Sequence, residues 1–315
     1  MSESTTPVKA PHLFTLSDYQ SGIARWCPGC GDHGVLAAIQ RICTEEQLPP
    51  HKTVFVSGIG CSSRFPHYMK TYGFHGLHGR AMPVACGVKA RRPELQVFVS
   101  SGDGDFFSIG AGHWIHGVRY NMDMTLTIFD NGIYGLTKAQ TSPTSPLGLK
   151  TKTHPHGAIL PPMNPIQATL GMTNLSFLAQ TVDWKPQHLK ATLQAAYKHK
   201  GLGIVRVMQR CTAYTADLHD EWRRNPEKVL LMKHDKGVPV DPKIDKAFKN
   251  QVEHDPTDIN KARELGDRTD VLPIGLFYVN PDAPRYDQMT NAGLEMSNED
   301  KAKGLNAALD KFAVR

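Results

Sequence analysis

Short apolar segments alternate with amphipathic segments between about residues 32 and 211 of this 315-residue chain. The apolar segments predict strands at 53–59, 95–101, 124–129, 177–182 and 204–209. The amphipathic segments predict helices at 32–46, 109–121 and 186–200. Continuous apolar strands that are separated by helices are typical of a parallel sheet with helices on both faces. The alternation therefore predicts an α/β fold with a mostly parallel sheet.

The chain divides into three predicted regions: an N-terminal arm at 1–16, a main domain at 17–216 and a C-terminal extension at 217–315. Within the main domain, the stretch 138–165 is rich in Pro, Thr, Gly and Ser and is too long for an ordinary connection. Long loops of this kind often carry function, so we expect this one to lie over a site. The extension is strongly charged and loses clear periodicity until a helical segment at 298–312. We expect it to pack on the main domain or on a partner.

The composition excludes several classes of protein. With 40% hydrophobic and 21% charged residues, the chain is neither disordered nor fibrous. Its net charge of +6 is too small to indicate nucleic-acid binding, but it suits an acidic protein partner or an anionic substrate. The sequence lacks the run of ~18 apolar residues that a membrane span needs, and its start, MSESTTPVKAPH, lacks a signal-peptide core. We therefore expect a soluble, cytoplasmic protein that binds no membrane.

Four of the six cysteines occupy positions that suggest a metal centre. Cys27 and Cys30 lie in the turn WCPGCG, a spacing that suits half of a zinc site, a redox pair or two ordinary thiols. Cys61 and Cys211 each follow a predicted strand. Because the carboxyl ends of parallel strands meet at one edge of a sheet, these two cysteines can join the first pair there. One pair with two distant single cysteines resembles an iron–sulfur ligand set more than the paired knuckles of a zinc site.

A second signal is the sequence Gly-Asp-Gly-Asp at 102–105, which follows a predicted strand, with Asn131 located 26 residues after Asp105 at the end of the next strand. Glycines in a strand-to-helix turn let backbone N–H groups approach a phosphate. Asp103, the side-chain oxygen of Asn131 and the carbonyl of Ile133 are oxygen ligands of the kind that Mg²⁺ prefers. A Gly-Asp-Gly sequence alone is common in structural turns, but this spacing matches the fingerprint of thiamine diphosphate enzymes.

Five motifs together resemble the β subunit of 2-oxoacid:ferredoxin oxidoreductases, which are thiamine-dependent enzymes that decarboxylate 2-oxoacids oxidatively onto coenzyme A. The resemblance covers residues 17–215. It rests on RWCPGCGDHGVL, VSGIGCSSRFPHY, LHGRAMPVACGVKARRP, SGDGDFFSIGAGHWIHGVRYN and FDNGIYGLTKAQTSPTS. The CSSRFP and IYGLTKAQ versions look most like the 2-oxoglutarate, or KorB-type, branch.

The resemblance implies a thiamine-diphosphate-binding fold and a role for each motif residue. Cys27, Cys30, Cys61 and Cys211 would ligate one 4Fe–4S cluster, and Asp103, Asn131 and the Ile133 carbonyl would hold Mg²⁺. His78 would lie near the reactive half of the cofactor, and Arg64 would face the 2-oxoacid. On the residues alone, His78 is equally well a packed or surface histidine, and Arg64 is better explained as a surface charge. The residues implied to bind the cofactor are Gly102, Asp103, Gly104, Asp105, Asn131, Ile133, Tyr134, Gly135, Leu136 and Thr137, of which the 102–105 turn and residues 134–137 would line the diphosphate.

The implied reaction converts 2-oxoglutarate, coenzyme A and oxidised ferredoxin reversibly into succinyl-CoA, CO₂ and reduced ferredoxin. The implied partners are ferredoxin and an α subunit, which would supply an activating glutamate and part of the pocket in a dimer of αβ heterodimers. Three alternatives stay open. In the first, the enzyme acts on pyruvate or on a broad range of 2-oxoacids. In the second, it uses thiamine diphosphate without electron transfer. In the third, the chain is a zinc-stabilised, non-catalytic binding module.

Overall fold

The computed structural model describes residues 13–235, 237–291 and 296–313. Most of the predicted N-terminal arm, residues 1–12, lies outside the described residues. The described residues form eleven strands: β1 (Thr53–Ser57), β2 (Tyr72–His75), β3 (Gln96–Gly102), β4 (Met124–Asp130), β5 (Ile133–Tyr134), β6 (Gln140–Thr141), β7 (Phe177–Val182), β8 (Leu202–Met208), β9 (Val229–Lys233), β10 (Asn250–Glu253) and β11 (Leu272–Val279).

The helices lie before, between and after these strands. They are α1 (Asp32–Glu45), α2 (Ala81–Arg91), α3 (Ala111–Tyr120), α4 (Pro165–Leu170), α5 (Pro186–Lys198), α6 (Asp220–Arg224), α7 (Pro242–Ala247), α8 (Ile259–Gly266), α9 (Tyr286–Asn291) and α10 (Asn298–Asp310), with a π-helical turn at Asp105–Ile109. Within the described part of the chain, no helix combines the length and the apolar character needed to cross a lipid bilayer.

Nine strands form one sheet in the order β10-β9-β11-β7-β8-β4-β3-β1-β2. The pairing of β11 with β7 is antiparallel, and the other neighbouring pairs in the described sheet are parallel. Successive side chains of a strand point to opposite faces. Val97 and Val99 therefore pack in one core with residues of α2 and α3, whereas Phe98 packs in the other with residues of α1 and α5. The predicted α/β fold with helices on both faces of a mostly parallel sheet is confirmed.

The five predicted strands and three predicted helices all form, with ends that differ from the structure by at most two residues. The sequence interpretation missed β9, β10 and β11, which follow Asp217. Their pattern is hard to read because β10 alternates between exposed and half-buried residues, and β11 contains Pro273 and Gly275 in its interior. Through the pairing of β11 with β7, this segment continues the main sheet. The predicted C-terminal helix forms as α10, and all its residues are exposed.

Candidate active site

The predicted cofactor-binding residues meet in a cleft at the carboxyl ends of β1, β3 and β4. All ten of them line this cleft, together with His78 and Cys61. Parallel strands place their following loops at one edge of the sheet, which explains why residues from 59 to 137 converge there. A larger cavity of about 960 Å³ lies near the amino end of β7, between α5 and the segments that follow β9 and β10. It contains none of the predicted site residues, so we place the candidate active site in the smaller cleft.

Two buried carboxyl groups lie close together beneath the cleft. Thr144 Oγ1 lies 3.0 Å from Asp103 Oδ2 and 2.7 Å from Asp130 Oδ1. A hydroxyl group has one proton, so it cannot donate to both carboxylates at once. Burial, and then the neighbouring charge of Asp130, raises the pKa of Asp103 to about 7. Arg206 balances the charge of Asp130, since its Nη2 lies 2.6 Å from Asp130 Oδ2.

This arrangement leaves Asp103 as a buried carboxyl group that is 1% exposed and has no cationic side chain assigned to it among the described ion pairs. A buried carboxylate without a counter-charge is costly, and a bound cation removes that cost. Thr144 belongs to the long segment 138–165, which was predicted to lie over a site. The contact of Thr144 with Asp103 places that part of the segment against the cleft.

Asn131 has a fixed orientation. Its Oδ1 accepts a hydrogen bond of 3.1 Å from the Ile133 backbone N–H, and its Nδ2 donates to Gln209 Oε1 at 2.8 Å. The backbone donor must face an oxygen, so this contact distinguishes the two ends of the Asn131 amide. The side-chain oxygen of Asn131 is therefore held on the side of Ile133. Asn131 and Ile133 would need to lie together in this way to bind one cation.

Gly104 and Tyr134 pack closely against each other across the cleft. The Tyr134 hydroxyl donates to the Gly104 carbonyl oxygen at 2.7 Å. A Cβ atom at position 104 would lie only 2.5 Å from Cζ of the Tyr134 ring. Only glycine fits here, because any side chain would displace this ring and open the wall of the cleft.

His78 lies beside Asp105 at the cleft. His78 Nδ1 lies 2.5 Å from Asp105 Oδ1, and Asp105 is 2% exposed. The same carboxylate accepts hydrogen bonds from the Gly79 backbone N–H at 2.8 Å and from the Ser101 hydroxyl at 2.5 Å. The His78 side chain remains 31% exposed. His78 thus lines the cleft beside a buried carboxyl group, and its role toward the cofactor stays a prediction.

Arg64 is not brought into the cleft. Its Nε donates to the Tyr68 hydroxyl at 2.9 Å, and its guanidinium carbon lies 5.9 Å from the centre of the Tyr68 ring. Tyr68 in turn packs against Trp26, with ring centres 4.7 Å apart. Arg64 is absent from the described lining of the cleft, and its role toward a 2-oxoacid stays a prediction.

The four predicted cluster cysteines approach one another beside the cleft. A Cβ atom on Gly135 would lie 3.6 Å from Cys61 Sγ and 3.9 Å from Cys211 Sγ, so both sulfurs face this glycine. Burial raises the pKa of the Cys61 thiol to about 12, and the nearby Cys211 and Cys27 contribute to the rise. Burial also raises the pKa of the Cys30 thiol, again with contributions from neighbouring cysteines. All the cysteines are free thiols in the described structure.

The convergence of these sulfurs does not by itself define a metal site. Among the described residues, no group of three or more His, Cys, Asp or Glu side chains is arranged to hold a metal ion directly. Cys27 is exposed, whereas Cys211 is 9% exposed. Trp26, which is 8% exposed, donates from its indole Nε1 to the Cys61 carbonyl oxygen at 2.7 Å. The thiols therefore extend from the surface to the interior, with an aromatic ring beside them.

Sequence reasoning missed Thr144, Arg206 and Gln209. Thr144 lies in an irregular segment with no pattern that relates it to Asp103. Arg206 and Gln209 belong to β8 or follow it directly, and β8 pairs with β4, which ends at Asp130. For Gln209 the sequence offered one signal. It is a polar residue at the end of a predicted strand, and that strand, β8, pairs with β4.

The comparisons with known proteins agree with this geometry. A family model described as "Thiamine pyrophosphate enzyme, C-terminal TPP binding domain" matches residues 58–207, which include the whole cleft. A second family model, for the C-terminal part of the pyruvate ferredoxin oxidoreductase beta chain, matches residues 245–293. The fold and the cleft thus define a thiamine diphosphate-binding enzyme domain.

Similar proteins and one solved structure indicate which family of thiamine diphosphate enzymes the chain resembles. The β subunit of 2-oxoacid:ferredoxin oxidoreductase from Saccharolobus solfataricus is 41% identical over 268 residues, which cover 84% of each chain. The 2-oxoglutarate oxidoreductase subunit KorB of Mycobacterium tuberculosis is 43% identical over 69% of this chain and 58% of the relative. The structure of 2-oxoglutarate:ferredoxin oxidoreductase from Magnetococcus marinus, with 2-oxoglutarate, coenzyme A and succinyl-CoA bound, has a TM-score of 0.76 and 34% identity, and the match covers 93% of this chain and 96% of that one.

The chain belongs to the family of 2-oxoacid:ferredoxin oxidoreductase β subunits. It is a subunit of an oxidoreductase, as the five motifs predicted. This family membership argues against the alternative of a non-catalytic, zinc-stabilised binding module.

Proposed function

We propose that this chain is the β subunit of a 2-oxoglutarate:ferredoxin oxidoreductase. The reaction converts 2-oxoglutarate, coenzyme A and two oxidised ferredoxins into succinyl-CoA, CO₂, two reduced ferredoxins and a proton, and it is reversible. Relatives named for 2-oxoglutarate and the 2-oxoglutarate enzyme from Magnetococcus marinus support this substrate. The observation that carries the proposal is that the Asp103–Asn131 cleft meets two of the four predicted cluster cysteines, Cys61 and Cys211, at Gly135.

The cleft fits thiamine diphosphate with Mg²⁺. Asp103, Asn131 and the Ile133 carbonyl would hold the ion, because a buried carboxyl group with a raised pKa gains a counter-charge from it. The Gly102–Asp105 turn and residues 134–137 would surround the diphosphate, with backbone N–H groups as donors. Thiamine diphosphate, when bound, supplies the nucleophilic carbon and the electron sink that decarboxylation of a 2-oxoacid requires.

His78 would act on the substrate side of this cleft. A hydrogen bond from Nδ1 to Asp105, whose Oδ1 lies 2.5 Å away, would place the ring proton on Nδ1 and leave Nε2 as the hydrogen-bond acceptor toward the substrate. A carboxylate that orients a histidine in this way is typical of residues that position or move a proton. We assign this role to His78. Arg64 remains a candidate for the substrate carboxylate, on the condition that it leaves Tyr68 when substrate or partner binds.

The cysteines fit a 4Fe–4S cluster ligated by Cys27, Cys30, Cys61 and Cys211. Such a cluster transfers electrons one at a time, as an enzyme that reduces ferredoxin requires. The exposure of Cys27 supports an exit to an external protein at that end of the ligand set. The net charge of +6 favours an acidic ferredoxin as the acceptor.

The enzyme would also need an α subunit. We propose that it supplies an activating glutamate and the rest of the pocket, in a dimer of αβ heterodimers. Three exposed apolar side chains are suited to contact with a partner: Leu136, which lines the cleft and is 47% exposed, and Ile159 and Leu160 in the long segment after it, which are 77% and 74% exposed. The division of the chain at residues 16 and 216, and its cytoplasmic location, stay predictions.

A second candidate function differs in substrate. The Saccharolobus solfataricus relative is named for 2-oxoacids in general, which favours pyruvate or a broad substrate range as the alternative. Both candidates share the cofactors, the partners and the reaction type.

One experiment tests the proposal and separates the two substrates. The chain would be produced with its α partner, purified without oxygen and assayed for iron, acid-labile sulfide and thiamine diphosphate. We expect four irons and one thiamine diphosphate per β subunit, and coenzyme A-dependent ferredoxin reduction with 2-oxoglutarate. Equal or greater activity with pyruvate would favour the broad-range alternative. Zinc in place of iron, or no thiamine diphosphate, would contradict the proposed function.

A further inference from the structure

Gln209 connects the two predicted cofactor sites. It directly follows β8, lies two residues before Cys211, and is 1% exposed. Its Oε1 accepts a hydrogen bond of 2.8 Å from Asn131 Nδ2. Its Nε2 lies 3.3 Å from Cys30 Sγ and donates to it, and the same nitrogen also contacts the Arg210 carbonyl oxygen. One amide group thus touches a predicted ligand of each site.

The direction of these hydrogen bonds is fixed by the backbone. The Ile133 N–H donates to Asn131 Oδ1, so the NH₂ group of Asn131 must face Gln209. An NH₂ group needs an acceptor, so the oxygen of Gln209 faces Asn131 and its NH₂ group faces the sulfur. The backbone N–H of Gln209 also donates to the Asp130 carbonyl oxygen at 2.8 Å, which holds the residue in place.

We infer that Gln209 is a positioning residue that tunes the cluster and supports the Mg²⁺ site through the same amide group. This inference rests on the proposed function. Toward the cluster, the Nε2–H group donates to the sulfur of Cys30. Toward the cleft, the Oε1 atom holds the Asn131 amide so that its oxygen stays on the side of Ile133.

The two contacts have separate physical consequences. A hydrogen bond to a cluster sulfur stabilises the reduced state, which carries one more negative charge, and therefore raises the reduction potential. Removal of the donor is expected to lower the potential and to make the cluster harder to reduce. Loss of the acceptor releases Asn131, and residues that orient metal ligands typically contribute roughly 10- to 100-fold to metal affinity.

Two substitutions separate these consequences. Gln209→Met removes both the donor and the acceptor at similar side-chain length. Gln209→Glu keeps an oxygen acceptor for Asn131 but places a second oxygen, in place of the donor, toward Cys30. Gln40→Met is the matched control, because Gln40 is a buried glutamine (6% exposed) whose side chain has one described hydrogen bond, to the Tyr68 carbonyl oxygen, and none to either predicted ligand set.

The variants would be measured as αβ complexes with two readouts besides activity. Redox titration followed by electron paramagnetic resonance gives the midpoint potential of the cluster, and equilibrium binding gives the affinity for thiamine diphosphate with Mg²⁺. We expect a lower potential in both Gln209 variants. We also expect roughly tenfold weaker cofactor binding in Gln209→Met and a smaller change in Gln209→Glu. Gln40→Met is expected to match the wild type in both readouts.

Unchanged potentials in both Gln209 variants would overturn the inference. Loss of the cluster from both variants would also overturn it, because Gln209 would then be needed only to build the site. A failure of the proposed function is distinguishable, since it appears in the wild-type complex as missing iron or missing thiamine diphosphate before any variant is compared.

Discussion

Replacement of Gly104 by alanine probes the wall of the cleft. The backbone at this position has φ −66° and ψ −41°, which alanine adopts without strain, so the effect of the substitution is steric. The new Cβ would lie 2.5, 2.6 and 2.8 Å from three atoms of the Tyr134 ring. Ordinary contact begins at 3.4 Å, so the ring must move by about 1 Å. That movement also disturbs the hydrogen bond from the Tyr134 hydroxyl to the Gly104 carbonyl oxygen.

The expected magnitude follows from these two changes. Overpacking of this kind costs about 1–3 kcal/mol of folding free energy, and the hydrogen bond contributes about 1 kcal/mol. We therefore expect Gly104→Ala to lower the free energy of unfolding by about 2–4 kcal/mol. Gly112→Ala is the matched control, since Gly112 lies in α3 and a Cβ there would meet no described atom within 4 Å. It is expected to raise stability by about 0.5–1 kcal/mol.

Urea unfolding of the ligand-free chain gives the free energies, and calorimetric titration of thiamine diphosphate with Mg²⁺ gives the affinity. Because Gly104 and Tyr134 both line the cleft, we expect affinity to fall together with stability. The double variant Gly104→Ala/Tyr134→Ala removes the ring that the new Cβ would strike. In the Tyr134→Ala background, Gly104→Ala should cost less than about 1 kcal/mol. An equal cost in both backgrounds, or no cost in either, would refute the steric reasoning.

Three further predictions concern the cysteines, the cation site and acid stability. Cys211→Ser is expected to lower the iron content of the αβ complex and to abolish ferredoxin reduction, whereas Cys86→Ser, in α2, should change neither; full iron content in Cys211→Ser would remove this residue from the ligand set. Asp103→Ala is expected to weaken retention of thiamine diphosphate and Mg²⁺ at least roughly tenfold with unchanged iron content, and normal cofactor occupancy would contradict the Mg²⁺ assignment. Burial lowers the pKa of His188 to about 3. Below pH ~6.5 the histidine takes up a proton in the unfolded chain but not in the folded one. The free energy of unfolding is therefore highest above pH ~6.5 and falls as the pH is lowered, by about 2 kcal/mol at pH 5. In thermal unfolding, His188→Gln should reduce the loss of stability between pH 7 and pH 5, and an unchanged loss would argue against this residue.

The strands in the central part of the sheet were predictable because their successive side chains pack alternately into the two cores. Val97, Phe98 and Val99 are all apolar, and such a run is typical of a strand that is buried on both faces. The strands after Asp217 lack this signal. β10 lies at the edge of the sheet, where half of its residues are exposed, so its sequence does not need to be apolar. The apolar run in β11 is interrupted by Pro273 and Gly275.

The candidate site was also predictable only in part, because some of its residues follow recognisable strands and others meet through contacts between distant segments. The turn at 102–105 and Asn131 follow strands whose order can be inferred, so their meeting in the cleft was predictable from sequence. The contacts that refine the site join residues far apart in the chain. Thr144 contacts Asp103 from 41 residues away, and Gln209 contacts Asn131 from 78 residues away. No sequence pattern relates such pairs, because their approach depends on the path of an irregular segment and on the pairing of β8 with β4.

The most direct test of the account is whether a 2-oxoacid delivers electrons to a cluster held by this chain. Electron paramagnetic resonance would be recorded on the αβ complex, purified without oxygen, after addition of 2-oxoglutarate or pyruvate, each with and without coenzyme A. We expect the signal of a reduced 4Fe–4S cluster with 2-oxoglutarate and coenzyme A, and the loss of this signal in Cys211→Ser. An iron-loaded complex that gives no cluster signal with either 2-oxoacid would contradict it.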